Sequence, residues 1–393
     1  MSLIFGYYCD KISEKVPRKR LFFYTNAIWL VSYGLVSISL NYIFYLIFII
    51  IAAIGHGAFL PIGYSIIGDF FSPKERAKKF GMMQVSLTLG VGFGIILGGS
   101  LGTYLGAIGW RYSYGTGCIL GLLPLIYYGL RGIDPQRGGS EPEFKEIKNI
   151  INYDYKITLS KLFQLFKKKS IFSVLFYVLF QAVAISTIGI WGIFYLNIKI
   201  SGGETKLYAV LLTILTGVGS LPGVIIGGKL GDKYYEMGKM KGRVIVSFIG
   251  VLLGTLFLLG FYLLPFLTRN MIEVVLSWIY FSILGFMGYF FINLPIGNQF
   301  AIYSEVSAPE VRNTANALNG VMVNIGAIIG NLILSSLIEQ NLSLLPLSLF
   351  LLLLIMLFGA TFWIIAYFHY PKEAKEFRDL MRKRRIEIEE KTG

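Results

Sequence analysis

The chain has 393 residues, of which 55% are hydrophobic and 15% charged, with a mean hydropathy of +0.66 and a formal net charge of +14. Soluble domains carry about 25% charged residues, so lipid has to be the solvent for much of this surface. The positive charge lies in short runs between long apolar stretches, which excludes the contiguous basic face of a nucleic-acid-binding protein.

Taken in chain order, ten stretches are apolar for the roughly 20 residues a bilayer crossing needs: 21–40, 43–67, 82–106, 112–130, 171–197, 207–228, 244–264, 274–298, 315–338 and 344–368. They read as helices, because backbone in lipid has to bond within its own segment. The expected class is therefore all-α, polytopic. The loops between them alternate in charge. Segments 6–20, 68–81, 131–170, 229–243, 304–314 and the tail from 369 hold 32 Lys and Arg, against Arg111, Lys199, Lys206 and Arg269 on the other side. The positive-inside rule then places both termini in the cytoplasm of a multi-pass cell-membrane protein.

Met1 to Phe5 is too short for the apolar core of a signal peptide and runs into a charged loop. Segment 131–170 begins with turn residues (Asp134-Pro135, Gly138-Gly139-Ser140) and ends basic (Lys161 to Lys169). It reads as a cytoplasmic linker between a bundle over 1–130 and a six-helix bundle over 171–368. Its basic end, and the tail over 369–393 with Arg382-Lys383-Arg384-Arg385, are expected to lie on the anionic leaflet surface.

The halves repeat one another. Gly6-x-x-x-Asp10-Lys11 recurs as Gly228-x-x-x-Asp232-Lys233, and Asp69-x-x-x-Pro73-x-x-Arg76 as Glu305-x-x-x-Pro309-x-x-Arg312, at offsets of 222 and 236 residues. Basic residues (Arg18, Lys19, Arg20 and Lys239, Lys241, Arg243) lead each half into its next helix. Both copies run in the same direction, so the halves are parallel repeats, a plan in which solute sites lie between them.

These four loops resemble the signature loops of the major facilitator superfamily. Gly90-x-x-x-Gly94-x-x-x-Gly98-Gly99 is similar to its glycine-rich fifth-helix motif, with Ile95 where a proline is usual. Within the superfamily, Gly55 to Ala58, Asp69 to Gly81 and Gly109-Trp110-Arg111 look most like Spinster-like transporters. The resemblance places loop 6–20 after the second helix, so helix 1 and most of helix 2 of a twelve-helix plan would be missing. A late start codon, a decayed gene and a functional ten-helix form are the three readings of that departure.

Candidate functional residues follow. Asp10 and Asp232 sit at the membrane–cytoplasm boundary, where an anion can meet the positive N-terminal end of a helix. The resemblance puts Asp10 at the helix start after Arg312 and Asp232 at the start after Arg76. With Gly6, Lys11, Asp69, Gly228, Lys233 and Glu305 they make a conformational latch; charges that merely stop at an interface are the alternative. Gly90, Gly94 and Gly98 share one helical face and suit close helix packing or a gating hinge.

His56, between Gly55 and Gly57, is the readily titratable group near the middle of a span. Ionisable groups at that depth point to function, so His56 is a candidate for solute contact or proton exchange; a neutral, hydrogen-bonded imidazole is the alternative. Tyr177/Gln181 and Tyr289/Asn293 are i, i+4 pairs on the seventh and tenth helices, which line the cavity in the resembling family. They are the expected solute contacts. Gln84, Asn316, Asn319, Asn324 and Asn331 are further polar groups within spans, with Asn319 and Asn324 read as packing, and Trp191 near a helix end as an interfacial anchor.

No Asp or Glu lies deep in a span, and residues 43–51 hold no arginine. Such a cavity suits an uncharged or amphiphilic organic solute, with protons as a candidate coupling ion. Cys9, Cys118, His56 and His369 have no metal-ligand spacing, and Gly90-Val91-Gly92-Phe93-Gly94 sits in an apolar helix after no strand, against a dinucleotide site. No metal, cofactor or catalytic cluster is expected. The expectation is a monomeric transporter surrounded by lipid, working by alternating access; a non-transporting scaffold or receptor, or an inactive truncated transporter product, is the alternative.

Overall fold

The computed structural model describes residues 11–12, 16–144, 155, 165, 167–201 and 206–392. Gly6 and Asp10, and residues 161–164 and 166 of the basic stretch Lys161 to Lys169, lie outside them. Among the described residues the regular elements are all helical. The first half holds α1 (Arg18–Ser37), α2 (Tyr42–His56), α3 (Phe59–Phe70), α4 (Arg76–Leu105) and α5 (Gly109–Arg131). The second holds α6 (Lys169–Ser201), α7 (Lys206–Gly217), α8 (Ser220–Glu236), α9 (Lys241–Leu263) and α10 (Met271–Ile292). It continues through α11 (Pro295–Val306), α12 (Arg312–Gln340), α13 (Leu345–Ala360) and α14 (Phe362–Thr392).

Nine helical runs among the described residues are long and apolar enough to cross a membrane. The expected segment 21–40 is α1, whose basic start and lower hydropathy keep it out of that set; it packs between α2 and α5. Several runs consist of two helices joined by a short break. The runs Tyr42–Phe70 and Met271–Val306 each cross as one element, broken at Gly57–Ala58 and at Asn293–Leu294. These breaks fall at the same place in each half, 236 residues apart. In the second, the Asn293 side chain donates to the Tyr289 carbonyl at 2.6 Å, and Pro295 restarts the helix at its first turn. A glycine does the equivalent work at residue 57.

The same offset pairs Gly90 with Gly326 and Gly94 with Gly330, and here the halves differ. A Cβ on Gly326 would meet the Leu179 carbonyl oxygen at 2.5 Å, and one on Gly330 the Val183 oxygen at 2.2 Å, so α12 rests backbone to backbone on α6. A Cβ on Gly90 or Gly94 would meet nothing within 4 Å, and one on Gly98 only the Ser113 hydroxyl at 3.9 Å. Among the described residues, the glycine face of α4 is therefore open.

The boundary expected at 368/369 falls inside α14, which continues as one helix to Thr392. Phe377, Met381 and Ile388 on this helix bury themselves with Phe144 of the linker. Arg384 is 5% exposed and grips Glu310 through two bonds of 2.8 and 3.1 Å. Glu373 accepts the N–H groups of Lys169 and Ser170, capping the start of α6. Arg384 is thus inside a protein contact and not on the leaflet surface as expected, because α14 carries an apolar stripe that the linker covers. Arg382 stays solvent-exposed, beside Asp379.

Candidate functional site

The break in each long helix exposes polar groups at mid-depth, and there the two halves enclose a cavity of about 500 Å³. The first half contributes His56, Gly57, Tyr64 and Gln84. The second contributes Gln181 from α6, Asn293 at the α10–α11 break, Gln299 from α11, and Asn316, Asn319 and Asn324 from α12. Leucine, isoleucine, valine, alanine, proline and phenylalanine supply most of the remaining wall. Among the described residues, no Asp, Glu, Lys or Arg lines it.

His56 is exposed on its wall, edge-on to Trp29 with ring centres 5.3 Å apart and stacked with Phe59 at 6.1 Å. His56, Gln181 and Asn293 are brought together around the cavity. Tyr177 and Tyr289 point elsewhere. Tyr177 is fully buried with its ring 5.1 Å from Trp363, and the Tyr289 hydroxyl lies 3.3 Å from that of Tyr262. One helical turn separates each tyrosine from its amide partner, but the neighbouring helix turns the tyrosine away. Asn319 and Asn324, read from sequence as packing, also line the cavity, and Asn319 accepts from the Tyr303 hydroxyl at 3.2 Å. Asn331 donates to Ala327 within its own helix.

Towards the end that gathers the basic loops, the cavity floor is closed. Tyr64 and Phe300, equivalent residues of the two repeats, stack face to face with ring centres 3.8 Å apart, and Phe80 packs against both. Below them the halves are tied by buried charges. Asp232, from α8, accepts from the backbone N–H groups of Ala77 and Lys78 at 3.1 and 2.8 Å, at the first turn of α4 in the other half. Its carboxylate sits at the positive end of that helix. The approach requires glycine at two places: a Cβ on Gly228 would lie 2.8 Å from the Ala77 carbonyl oxygen, and one on Gly297 only 2.4 Å from it.

Asp232 also pairs with Arg243 at 2.8 Å. Arg243 bridges on to Glu305 at 3.0 Å and to the Pro73 carbonyl across the halves at 2.6 Å. Tyr370 donates to the second oxygen of Glu305. The first half repeats the pattern: Arg18 pairs with Asp69, as Arg243 does with Glu305, and also donates to Ser65 and the Pro135 carbonyl. Arg312 crosses from the second half to Asp69, and both it and Arg76 converge on Glu141 of the linker. The backbone N–H of Gly138, held at φ +68° where a side chain would be strained, donates to Asp69 at 3.1 Å. Lys11 and Lys233 are exposed and outside these bonds.

The full charge network was only half visible in the sequence. Arg18 and Arg243 are plain juxtamembrane basic residues in a linear reading, and Glu141 is one acid in a polar linker. Gln299 was missed because α11 runs on to Val306, past the apolar window that ends at 298. Aligning the halves at the 236-residue offset would have singled it out.

An amide-bearing cavity between two repeat-related helical bundles, closed at one end by contacts between them, is the layout of a solute transporter. The sequence profile of the Major Facilitator Superfamily matches residues 1–330, and the chain belongs to that family: it is a multi-pass membrane transporter. The chain is 25% identical over 362 residues to multidrug resistance protein 3 of Bacillus subtilis (strain 168), covering 81% of this chain and 67% of that protein. Its fold matches the proton:xylose symporter XylE bound to 6-bromo-6-deoxy-D-glucose, with a TM-score of 0.66 at 18% identity, over 92% of this chain and 82% of that one. It also matches a bacterial homologue of the human lysosomal transporter Spinster in an inward-facing, unoccupied conformation, with a TM-score of 0.54 at 17% identity, over 94% and 86%.

Proposed function

We propose that the protein carries a small, uncharged organic or lipid-like solute across the cell membrane by alternating access, with both termini in the cytoplasm. The observation that carries this reading is the cavity between the halves, closed at the basic end by contacts that exist only while the halves are together there. Because 32 of 36 Lys and Arg lie on that side, the closed end is the cytoplasmic one. Asp232 on the first turn of α4, and Arg312 on Asp69, act as the latch. Rocking the halves breaks these bonds and unstacks Tyr64 from Phe300, opening the cavity to the cytoplasm.

The lining supports an uncharged solute, since a charge would enter a chamber without a counter-ion. His56, Gln181 and Asn293 are the proposed contacts on the cavity wall. His56 is also the group suited to exchange a proton there. Tyr177 and Tyr289 support the wall from behind.

Uptake into proteoliposomes tests the reading. A Tyr64→Cys/Phe300→Cys pair, oxidised to lock the floor, should block uptake of an accepted solute, and reduction should restore it. Undiminished uptake with the pair fully cross-linked would exclude transport through this cavity. For His56, a His56→Ala protein should lose the pH dependence of uptake; an unchanged pH profile would remove it from any proton path.

A further inference from the structure

We infer that Gln299 and Asn316 form the subsite that reads the solute, and that the group they read is an uncharged hydroxyl or primary amide. The assignment rests on the transport reading and adds the chemistry of the ligand.

Three of the amides on the cavity wall already have partners. Gln84 accepts from Tyr64, Asn293 donates to the Tyr289 carbonyl, and Asn319 accepts from Tyr303. Gln299 and Asn316 differ. They are 5% and 4% exposed, both border the cavity, and among the described residues neither the Gln299 carbonyl oxygen nor either amide atom of Asn316 has a partner. Buried polar atoms are ordinarily bonded, and one left open asks for an explanation. A bond made only when solute is present supplies it.

The repeat argues against a structural role for these amides. At the 236-residue offset, Gln299 corresponds to Gly63 and Asn316 to Phe80, which is fully buried beside Tyr64 and Phe300. The first half thus builds the same positions from residues with no polar side-chain atom. The amides are a departure from symmetry on one wall of a shared chamber, where a solute would need to be oriented.

The open valences define the ligand group. The Gln299 oxygen needs a donor, while Asn316 offers one donor and one acceptor function. A hydroxyl or a primary amide supplies both. Since no charged side chain among the described residues lines the cavity, an ammonium or carboxylate would lose its hydration without compensation. Gln299 is also next in sequence to Phe300, whose ring closes the floor against Tyr64. A solute held there touches the element that has to move.

The test uses purified full-length protein and two probe panels in a thermal-shift and calorimetric screen. One panel holds neutral polyols and amides (glycerol, D-xylose, myo-inositol, nicotinamide). The other holds tetraphenylphosphonium and benzoate. At least one neutral probe should bind, and Asn316→Leu and Gln299→Leu should each weaken it about tenfold or more. The ligand-free Asn316→Leu protein should melt at or above the wild-type temperature, because an unpaired amide has been replaced by an apolar group of similar size. Binding of charged probes alone, or of no neutral probe, overturns the proposal. So does unchanged affinity in both variants, or a fall of several degrees in the ligand-free Asn316→Leu protein. Uptake of the bound probe separates the two readings. Uptake with variant affinities unchanged removes the subsite alone, whereas bound but untransported probe removes transport alone.

Discussion

Asp232→Asn perturbs the contact that holds the halves together most directly. In the closed state the carboxylate accepts two backbone N–H bonds from the opposite half and one from Arg243. A bond to a charged acceptor contributes about 1.5–3 kcal/mol, and a neutral one about 1 kcal/mol. Asparagine can keep one oxygen on one N–H but turns an NH2 toward the other, and it loses the attraction to the start of α4. Against this, the closed state no longer has to bury a charge. Arg243 keeps Glu305 and the Pro73 carbonyl, so it is not stranded. The net loss to the closed state is roughly 1–2 kcal/mol, which lowers the closed-to-open ratio about 5- to 30-fold. Spin labels introduced as K74C and K239C, both exposed and in opposite halves, report that ratio as a distance distribution in a background without the native cysteines. The variant should shift population from the short to the long distance. If Asp232→Asn and Asp232→Ala both leave the distribution unchanged, the latch reasoning fails.

Three further outcomes follow from the geometry. Gly330→Ala drives a Cβ into the Val183 carbonyl and should lower the melting temperature by many degrees, whereas Gly94→Ala, facing open space, should leave it within about a degree; equal effects would contradict the packing difference between halves. Arg384→Gln leaves the fully buried Glu310 without its bidentate partner and should destabilise the protein by about 3 kcal/mol, read by denaturant melting; a change below about 0.5 kcal/mol would return Arg384 to the surface. Burial pushes the Glu143 carboxyl above its ordinary value of 4.5, and the charge of Glu141 adds to this. The folded state therefore holds that proton more tightly than the unfolded one, and the stabilisation is present at low pH and lost as pH rises above 4.5. Glu143→Gln should remove that component, flattening the melting temperature against pH relative to wild type; parallel curves would refute it.

Much of the architecture was legible in the linear sequence because lipid makes simple demands. Apolar length marks spans, and basic loops mark one side. The 236-residue spacing of Asp69–Arg76 and Glu305–Arg312 foretold two equivalent halves, and the structure shows it extending to the helix breaks, the Tyr64–Phe300 stack and the glycine positions. The breaks themselves were hidden, since hydropathy runs unbroken through Gly57 and Asn293. Side-chain direction was hidden too. Tyr177 shares a helical face with Gln181, yet Trp363 draws it out of the cavity wall. The basic tail reads as charge for the leaflet surface until α14 is seen to bury Phe377, Met381 and Arg384 against the linker and Glu310. Burial of Arg18, Arg76, Arg243 and Arg312 depends on acids more than fifty residues away or in the other half, which no local pattern contains.

The central claim is that the halves rock about the cavity so that one end opens as the other closes. Distances measured at both ends in the same bilayer preparation test it most directly, with one label pair at Lys74 and Lys239 and a second at Tyr112 and Arg269 on the opposite side. The account predicts opposite shifts: Asp232→Asn lengthens the first distance and shortens the second. Two ends that lengthen together, or a second distance that ignores the first, would contradict it.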